Sequence, residues 1–244
     1  MSTLPPFTHR GQPLAHRFVP GAGPLVVFLP GYMSDMTGSK AEALSDWARA
    51  QGRAFLRLDY SGCGASGGDF LAGSIGRWTD DALALINHVW PAGRVVLVGS
   101  SMGGWIALLA GLALQDRLAG LVGIAAAPDF TVWGLTVGEA ERRQLEKQGY
   151  FTRPSAYGEP YRYSRALIDD APARLLLDGQ IGISAPVRLL HGQCDDAVPW
   201  RLSLDIAARL ASNDVQVRLI KDGDHRLSRE ADIATLIATV EHLL

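Results

Sequence analysis

The chain has 244 residues, 48% of them hydrophobic and 20% charged, with a formal charge of −2. That length suits one large α/β domain, and that balance suits a soluble protein with a core of real size. The near-neutral charge excludes a phosphate-backbone binder, which needs a basic surplus to release counterions, so no nucleic-acid partner is expected.

In chain order, the opening MSTLPPFTHRGQPLAHRF lacks the continuous apolar region of a secretory signal, and a cytoplasmic location is the expectation. Residues Leu14 to Val19 read as a short strand, and Pro20-Gly21-Ala22-Gly23-Pro24 turns the chain. Leu25 to Leu29 (LVVFL) reads as a buried strand ending at Pro30-Gly31. Met36 to Gln51 follows as an amphipathic helix, with Ala41, Leu44, Trp47 and Ala48 on one face and Gly52 just past its end. Arg53 to Leu58 is the next strand, and a glycine-rich loop leads to a helix over Arg77 to Val89.

That loop, Gly62-Cys63-Gly64-Ala65-Ser66-Gly67, satisfies the dinucleotide pattern G-x-G-x-x-G. The fingerprint needs a helix opening on the last glycine and an acidic residue ending a strand about twenty positions on. The residue at that distance is Asn87, inside a helix, so the pattern lacks its context and no cofactor is expected.

Arg94 to Leu114 (RVVLVGSSMGGWIALLAGLAL) carries the strongest signal. A β-branched strand runs into Gly99-Ser100-Ser101-Met102-Gly103, and an apolar helix follows at once. Strand, G-x-S-x-G and helix in succession describe a nucleophile elbow, in which a strained serine projects its hydroxyl above the sheet. Side chains at Gly99 and Gly103 would collide across the turn. A second match, Gly64-Ala65-Ser66-Gly67-Gly68, is offset from its strand and no helix begins after it. Ser101 is therefore the candidate nucleophile and Ser66 the rejected one.

Leu118 to Ala127 is another buried strand, closed by Pro128-Asp129. From about 130 to 182 the alternation lapses, and seven of the chain's nineteen aromatics gather here: Phe130, Trp133, Tyr150, Phe151, Tyr157, Tyr161 and Tyr163. An insertion of this length between strands is expected to be a helical lid, whose rings either line a pocket or pack the insertion onto the body. Alternation resumes with Val187 to Leu190, a helix over Trp200 to Leu210, a strand over Val215 to Ile220 and a helix over Ser228 to Leu243. The whole predicts one α/β domain over 1–244, with a mostly parallel sheet flanked by helices and its site at the carboxyl ends of the strands. The longest apolar run, Trp105 to Leu114, is too short for a membrane span. Cys63 and Cys194 suggest neither a disulfide framework nor a metal site, and metal-ligand spacing is absent.

A serine needs a base to take its proton and a third group to orient that base. Of six histidines, His9 and His16 precede the first buried strand and His88 and His242 sit in helices. His191 ends a strand before Gly192, where a structural role is expected. His225 follows the last strand in Lys221-Asp222-Gly223-Asp224-His225, on the same sheet edge as Ser101. The acid should lie between serine and histidine. The segment His191-Gly192-Gln193-Cys194-Asp195-Asp196-Ala197-Val198-Pro199-Trp200 offers Asp195 and Asp196, one to face the histidine and the other to cap the helix starting near Pro199.

These residues resemble the α/β-hydrolase family, both in Gly-x-Ser-x-Gly and in His-Gly-x-x-Asp-x-x-Val-Pro. In that pattern the fifth position is the triad acid, which implies Asp195, with His225 as base. A closer resemblance lies in Pro30-Gly31-Tyr32-Met33-Ser34-Asp35-Met36 with Lys40-Ala41, in Asp59-Tyr60-Ser61-Gly62-Cys63-Gly64-Ala65-Ser66-Gly67-Gly68, and in Gly99 to Trp105. It is to small serine hydrolases related to a mitochondrial palmitoyl-protein thioesterase that also cleaves acyl glucuronides. The resemblance spans nearly the whole chain and is weakest in the lid.

It implies an α/β-hydrolase fold and hydrolysis of esters or thioesters through an acyl-enzyme on Ser101. The oxyanion would be held by the backbone N–H of Met102 and that of Tyr32, since Pro30 has no N–H to give. The implied sheet order sets the strands before Cys63 and Cys194 too far apart for a disulfide, so both thiols should be free. The expected partner is a small-molecule or acylated substrate with an apolar acyl group. A peptidase of the same fold and a non-catalytic binding protein are the rival readings.

Overall fold

The computed structural model describes residues 6–155 and 158–244, so Tyr157 of the insertion lies outside the described residues. An antiparallel ribbon of β1 (Phe7–His9) and β2 (Gln12–Leu14) opens the chain, and β3 (His16–Val19) follows. The single early strand expected over Leu14 to Val19 is divided at Ala15, whose N–H donates to Ser66 Oγ and whose carbonyl accepts from the Asp59 N–H.

The body alternates strands and helices as the sequence pattern predicts: β4 (Ala22–Leu29), α1 (Ser39–Gln51), β5 (Arg53–Leu58), α2 (Ile75–Val89), β6 (Val95–Ser100), α3 (Met102–Leu114) and β7 (Leu118–Ile124). Helix α1 starts three residues later than the periodicity suggests. The Met36 N–H donates to Asp59 and the Thr37 N–H to Asp35, which takes that stretch out of the first turn. Helix α2 starts two residues early because Ser74 Oγ accepts from the Arg77 N–H and caps it.

The insertion contains α4 (Phe130–Trp133), α5 (Glu139–Gln148), an antiparallel ribbon of β8 (Tyr150–Arg153) and β9 (Tyr161–Ser164), and α6 (Arg165–Asp170). The ribbon is what a purely helical reading left out. YFTR and YRYS carry the aromatic and β-branched residues that suit a pleated surface. Leu135, Leu145 and Phe151 give the insertion a small core of its own. The buried Asp129 carboxylate accepts from the Leu176 and Leu177 N–H groups, tying the start of the insertion to its end.

The chain closes with β10 (Val187–Gly192), α7 (Arg201–Arg209), β11 (Val215–Ile220) and α8 (Glu230–Glu241). The seven-stranded sheet has the order β11-β10-β7-β6-β4-β5-β3, parallel throughout except for β3 at one edge. Successive strand residues point to opposite faces, so a strand covered on both sides must be apolar at every position. Leu25, Val27 and Leu29 pack with Trp78, Trp105 and Ile206 of α2, α3 and α7. Val26 and Phe28 pack with Leu44 and Trp47 of α1 and Leu236 of α8. β5 and β10 are separated by β4, β6 and β7, and both cysteines are free.

Register sets the site. Leu29 lies opposite Gly99, Ser100 opposite Ile124, and Gly192 opposite Ile220. The loops that follow these residues therefore leave the sheet along one edge.

Candidate active site

Ser101 joins β6 to α3 with φ 55° and ψ −119°. A non-glycine residue held there stores strain, and it persists only where the surroundings fix it. Its N–H donates to Ile124 O at 2.9 Å, and its carbonyl accepts from Gly104 at 2.8 Å and Ala127 at 3.0 Å. A Cβ on Gly99 would stand 2.2 Å from Gly103 O, across the turn, as expected from the sequence. A Cβ on Gly103 would instead meet Leu29 O at 2.1 Å. That second glycine serves the close approach of α3 to the end of β4 rather than closure of the turn.

Ser66 has a different use. Its hydroxyl donates to Asp59 O at 2.7 Å and accepts from the Ala15 N–H at 2.8 Å. Ser66→Ala is expected to lower stability by about 1–3 kcal/mol, the cost of leaving those groups unmet, and to leave kcat within a few-fold of wild type. A thermal melt and an ester assay check both.

The loops after β10 and β11 meet because two glycines let their backbones touch. A Cβ on Gly192 would lie 2.2 Å from Gly223 O, and the Cys194 N–H donates to that same oxygen at 2.9 Å. This approach brings His225 Nδ1 to 2.8 Å from Asp195 Oδ2, with the carboxylate fully buried. The other oxygen, Oδ1, accepts from the Ala197 and Val198 N–H groups. Asp196 is exposed and gives no cap to α7, whose first turn has no side-chain cap among the described residues. The capping expected of it is done by neither aspartate, because Asp195 spends its second oxygen on the loop.

His191 is fully buried behind Asp195. Its Nε2 lies 3.1 Å from both Asp195 Oδ2 and Val198 O, and its Nδ1 lies 2.7 Å from Ser203 Oγ. Both partners of Nε2 are acceptors, so Nε2 carries the hydrogen and Nδ1 accepts from the Ser203 hydroxyl. Burial alone would raise the Asp195 carboxyl. Hydrogen bonds from His191 and His225, the electrostatic influence of His225 and the Val198 N–H outweigh it and hold the group well below the usual carboxylate range. The sequence signalled a structural His191 through its strand-end position but not its contact with the acid, which depends on a bend four residues long.

Ser101 and His225 line one cavity of about 710 Å³. No hydrogen bond joins the two side chains among the described residues. The Met102 N–H opens α3 and has no partner within the helix, and the Tyr32 N–H makes no hydrogen bond among the described residues. Gly31, between Pro30 and Tyr32, sits against Ser100 O and Ser101 Cβ. Phe130, Trp133, Tyr161 and Tyr163 of the insertion line the same cavity.

Two supports went unread in the sequence. Lys40 donates to the carbonyl of Arg226, and burial, with Arg226 next, holds its pKa down to about 8. Met36 is clamped at both backbone groups, its N–H by Asp59 at 2.7 Å and its carbonyl by Arg57 at 2.9 Å. Cys63 is no rival nucleophile. Burial, with Asp59 and Asp81 behind it, pushes its thiol up to about 12.

A family profile described as "Serine aminopeptidase, S33" matches residues 22–141. The mouse protein "Palmitoyl-protein thioesterase ABHD10, mitochondrial" is 40% identical over 95% of this chain and 78% of its own length. Its human counterpart is 38% identical over 95% of this chain and 76% of its own length. The chain belongs to the α/β-hydrolase family. The solved structure of mouse "Alpha/beta hydrolase domain-containing protein 10" agrees, with a TM-score of 0.89 at 39% identity over 99% of this chain and 98% of that one. A bacterial structure from Agrobacterium vitis S4 superposes with a TM-score of 0.91 at 39% identity, covering 98% of this chain and 96% of that one. As a member of the α/β-hydrolase family with such relatives, the chain is a serine hydrolase of the esterase and thioesterase kind. Among the described residues no helix is long and apolar enough to cross a membrane.

Proposed function

We propose that the chain hydrolyses carboxylic esters or thioesters with an apolar acyl group, by a two-step acyl transfer to water. Ser101 attacks the carbonyl carbon while His225 Nε2 takes its proton, and Asp195 orients the imidazole and balances its charge. The oxyanion is held by the N–H groups of Met102 and Tyr32. Collapse of the tetrahedral species expels the alcohol or thiol, which takes the proton back from His225. Water activated by the same imidazole then releases the acid and restores Ser101.

The observation that carries this reading is the pairing of His225 with a fully buried Asp195 at 2.8 Å, facing a cavity that also holds the strained Ser101. A binding protein has no use for an oriented imidazole in one cavity with a serine on strained backbone, which weighs against the non-catalytic rival. The aromatic residues from the insertion favour an apolar acyl part. Acylated proteins are a plausible source of it, as the names of the mouse and human relatives suggest. The peptidase rival has the name of the family profile in its favour, whereas the whole-chain relatives are thioesterases by name.

Labelling with a fluorophosphonate probe, in wild type and Ser101→Ala, tests the nucleophile. Hydrolysis of esters, thioesters and aminoacyl amides across acyl lengths tests the substrate class. Loss of labelling in Ser101→Ala with rates rising toward longer acyl esters supports the reading. Labelling that survives in Ser101→Ala, or cleavage of amides alone, overturns it.

A further inference from the structure

We infer that Tyr32 is a positioning residue through which an acyl chain under the insertion sets the turnover rate, and not only the binding; this rests on the proposed roles of Ser101 and of the Tyr32 N–H. The main chain of Tyr32 belongs to the site, because Gly31 beside it stands against Ser100 O and Ser101 Cβ. Its side chain belongs to the insertion. The hydroxyl donates to the carbonyl of Arg162 in β9, and the ring stacks on Tyr163 with centroids 5.3 Å apart and planes 6° apart. Tyr161 and Phe130 touch the same ring from the insertion, and Phe70 and Trp78 from the body. Burial, with Tyr163 and Cys63 next, holds the phenol well above its ordinary pKa, so it stays a donor to β9.

The physical consequence is a coupling between two parts of one cavity. An acyl chain against Phe130, Tyr161 and Tyr163 gains contact only where β9 is seated, and a seated β9 fixes the Tyr32 ring through the hydroxyl and the stack. The peptide N–H attached to that ring is then held where negative charge develops. A ligand that makes better contacts with the ribbon seated than unseated favours the seated arrangement by that difference. A donor displaced by about an ångström costs up to about 10²-fold in rate. Chain length is thus read out in kcat.

The test uses the full chain and p-nitrophenyl esters from acetyl to long acyl, with kcat and KM resolved separately. Wild-type kcat is expected to rise with acyl length. In Tyr32→Ala that rise disappears, so the loss for long chains exceeds the loss for acetyl by about tenfold, while KM still falls with length through Phe130, Trp133 and Tyr161. Tyr32→Phe, which keeps the stack and loses the bond to β9, gives an intermediate rise and decides the matter if the alanine variant does not fold. A wild-type kcat that ignores acyl length, or variants that lose the same factor at every length, overturns the inference. Failure of the underlying reading looks different: the probe would still label Ser101→Ala, whatever the Tyr32 variants do.

Discussion

Ser101→Ala is expected to lower kcat for every ester by about 10⁶-fold while leaving KM and the melting temperature near wild type. The substitution removes one oxygen and keeps the Cβ, so the backbone at φ 55° remains as strained as before and the hydrogen bonds to Ile124, Gly104 and Ala127 are untouched. No buried partner is orphaned, because the hydroxyl has no hydrogen bond among the described residues. The effect thus falls on the covalent step alone. In the proposed mechanism the N–H groups of Met102 and Tyr32 still polarise a bound carbonyl, so a residual rate of about 10³–10⁴ over water should remain. A single-turnover assay separates that residue from contamination, and a Ser101→Ala protein with a kcat within about tenfold of wild type would remove the nucleophile from this position.

The second large effect is expected from Asp195→Asn, about 10⁴-fold in kcat, with more of the loss coming from the wrong imidazole tautomer than from lost charge. In the native site Asp195 Oδ2 accepts from His225 Nδ1 and from His191 Nε2. An amide turned to keep its oxygen on the Ala197 and Val198 N–H groups would point its NH₂ at both imidazoles. His225 would then carry its hydrogen on Nε2, a donor where the proposed mechanism needs a base. His191 could adapt only by moving its hydrogen to Nδ1, toward Ser203, which forfeits its bond to Val198 O. Two histidines are therefore disturbed by one substitution. His191→Phe would disturb the acid from the other side and is a useful companion.

The same contacts predict a pH dependence of stability. Asp195 is held below its unfolded-state value, so its contribution is present in full above the ordinary carboxylate pKa of about 4 and is lost as pH falls toward the folded value. Melting temperatures of wild type and Asp195→Asn should differ at neutral pH and converge below about pH 4. A gap that widens in acid would show that the buried carboxylate is a burden on the fold rather than a support.

The sequence by itself determined what depends on neighbours along the chain. Apolar runs with no polar interruption marked strands covered on both faces, Gly52 marked the end of α1, and Ser101 stood out because strand, tight turn and helix follow one another within a few residues. The ribbon of β8 and β9 was written in YFTR and YRYS, yet two four-residue alternations are too short to outweigh the helical pattern of α5 beside them. Tertiary structure decided what depends on residues far apart. It brought Asp195, already implied by the resemblance, to His225 through the touching backbones of Gly192 and Gly223, set His191 behind the acid, and left Asp196 exposed. It also carried the Tyr32 side chain across to β9, 130 residues along the chain. Local spacing encodes backbone conformation because sterics and hydrogen bonding act within a turn, whereas these contacts exist only once the sheet has brought its strand ends to one edge.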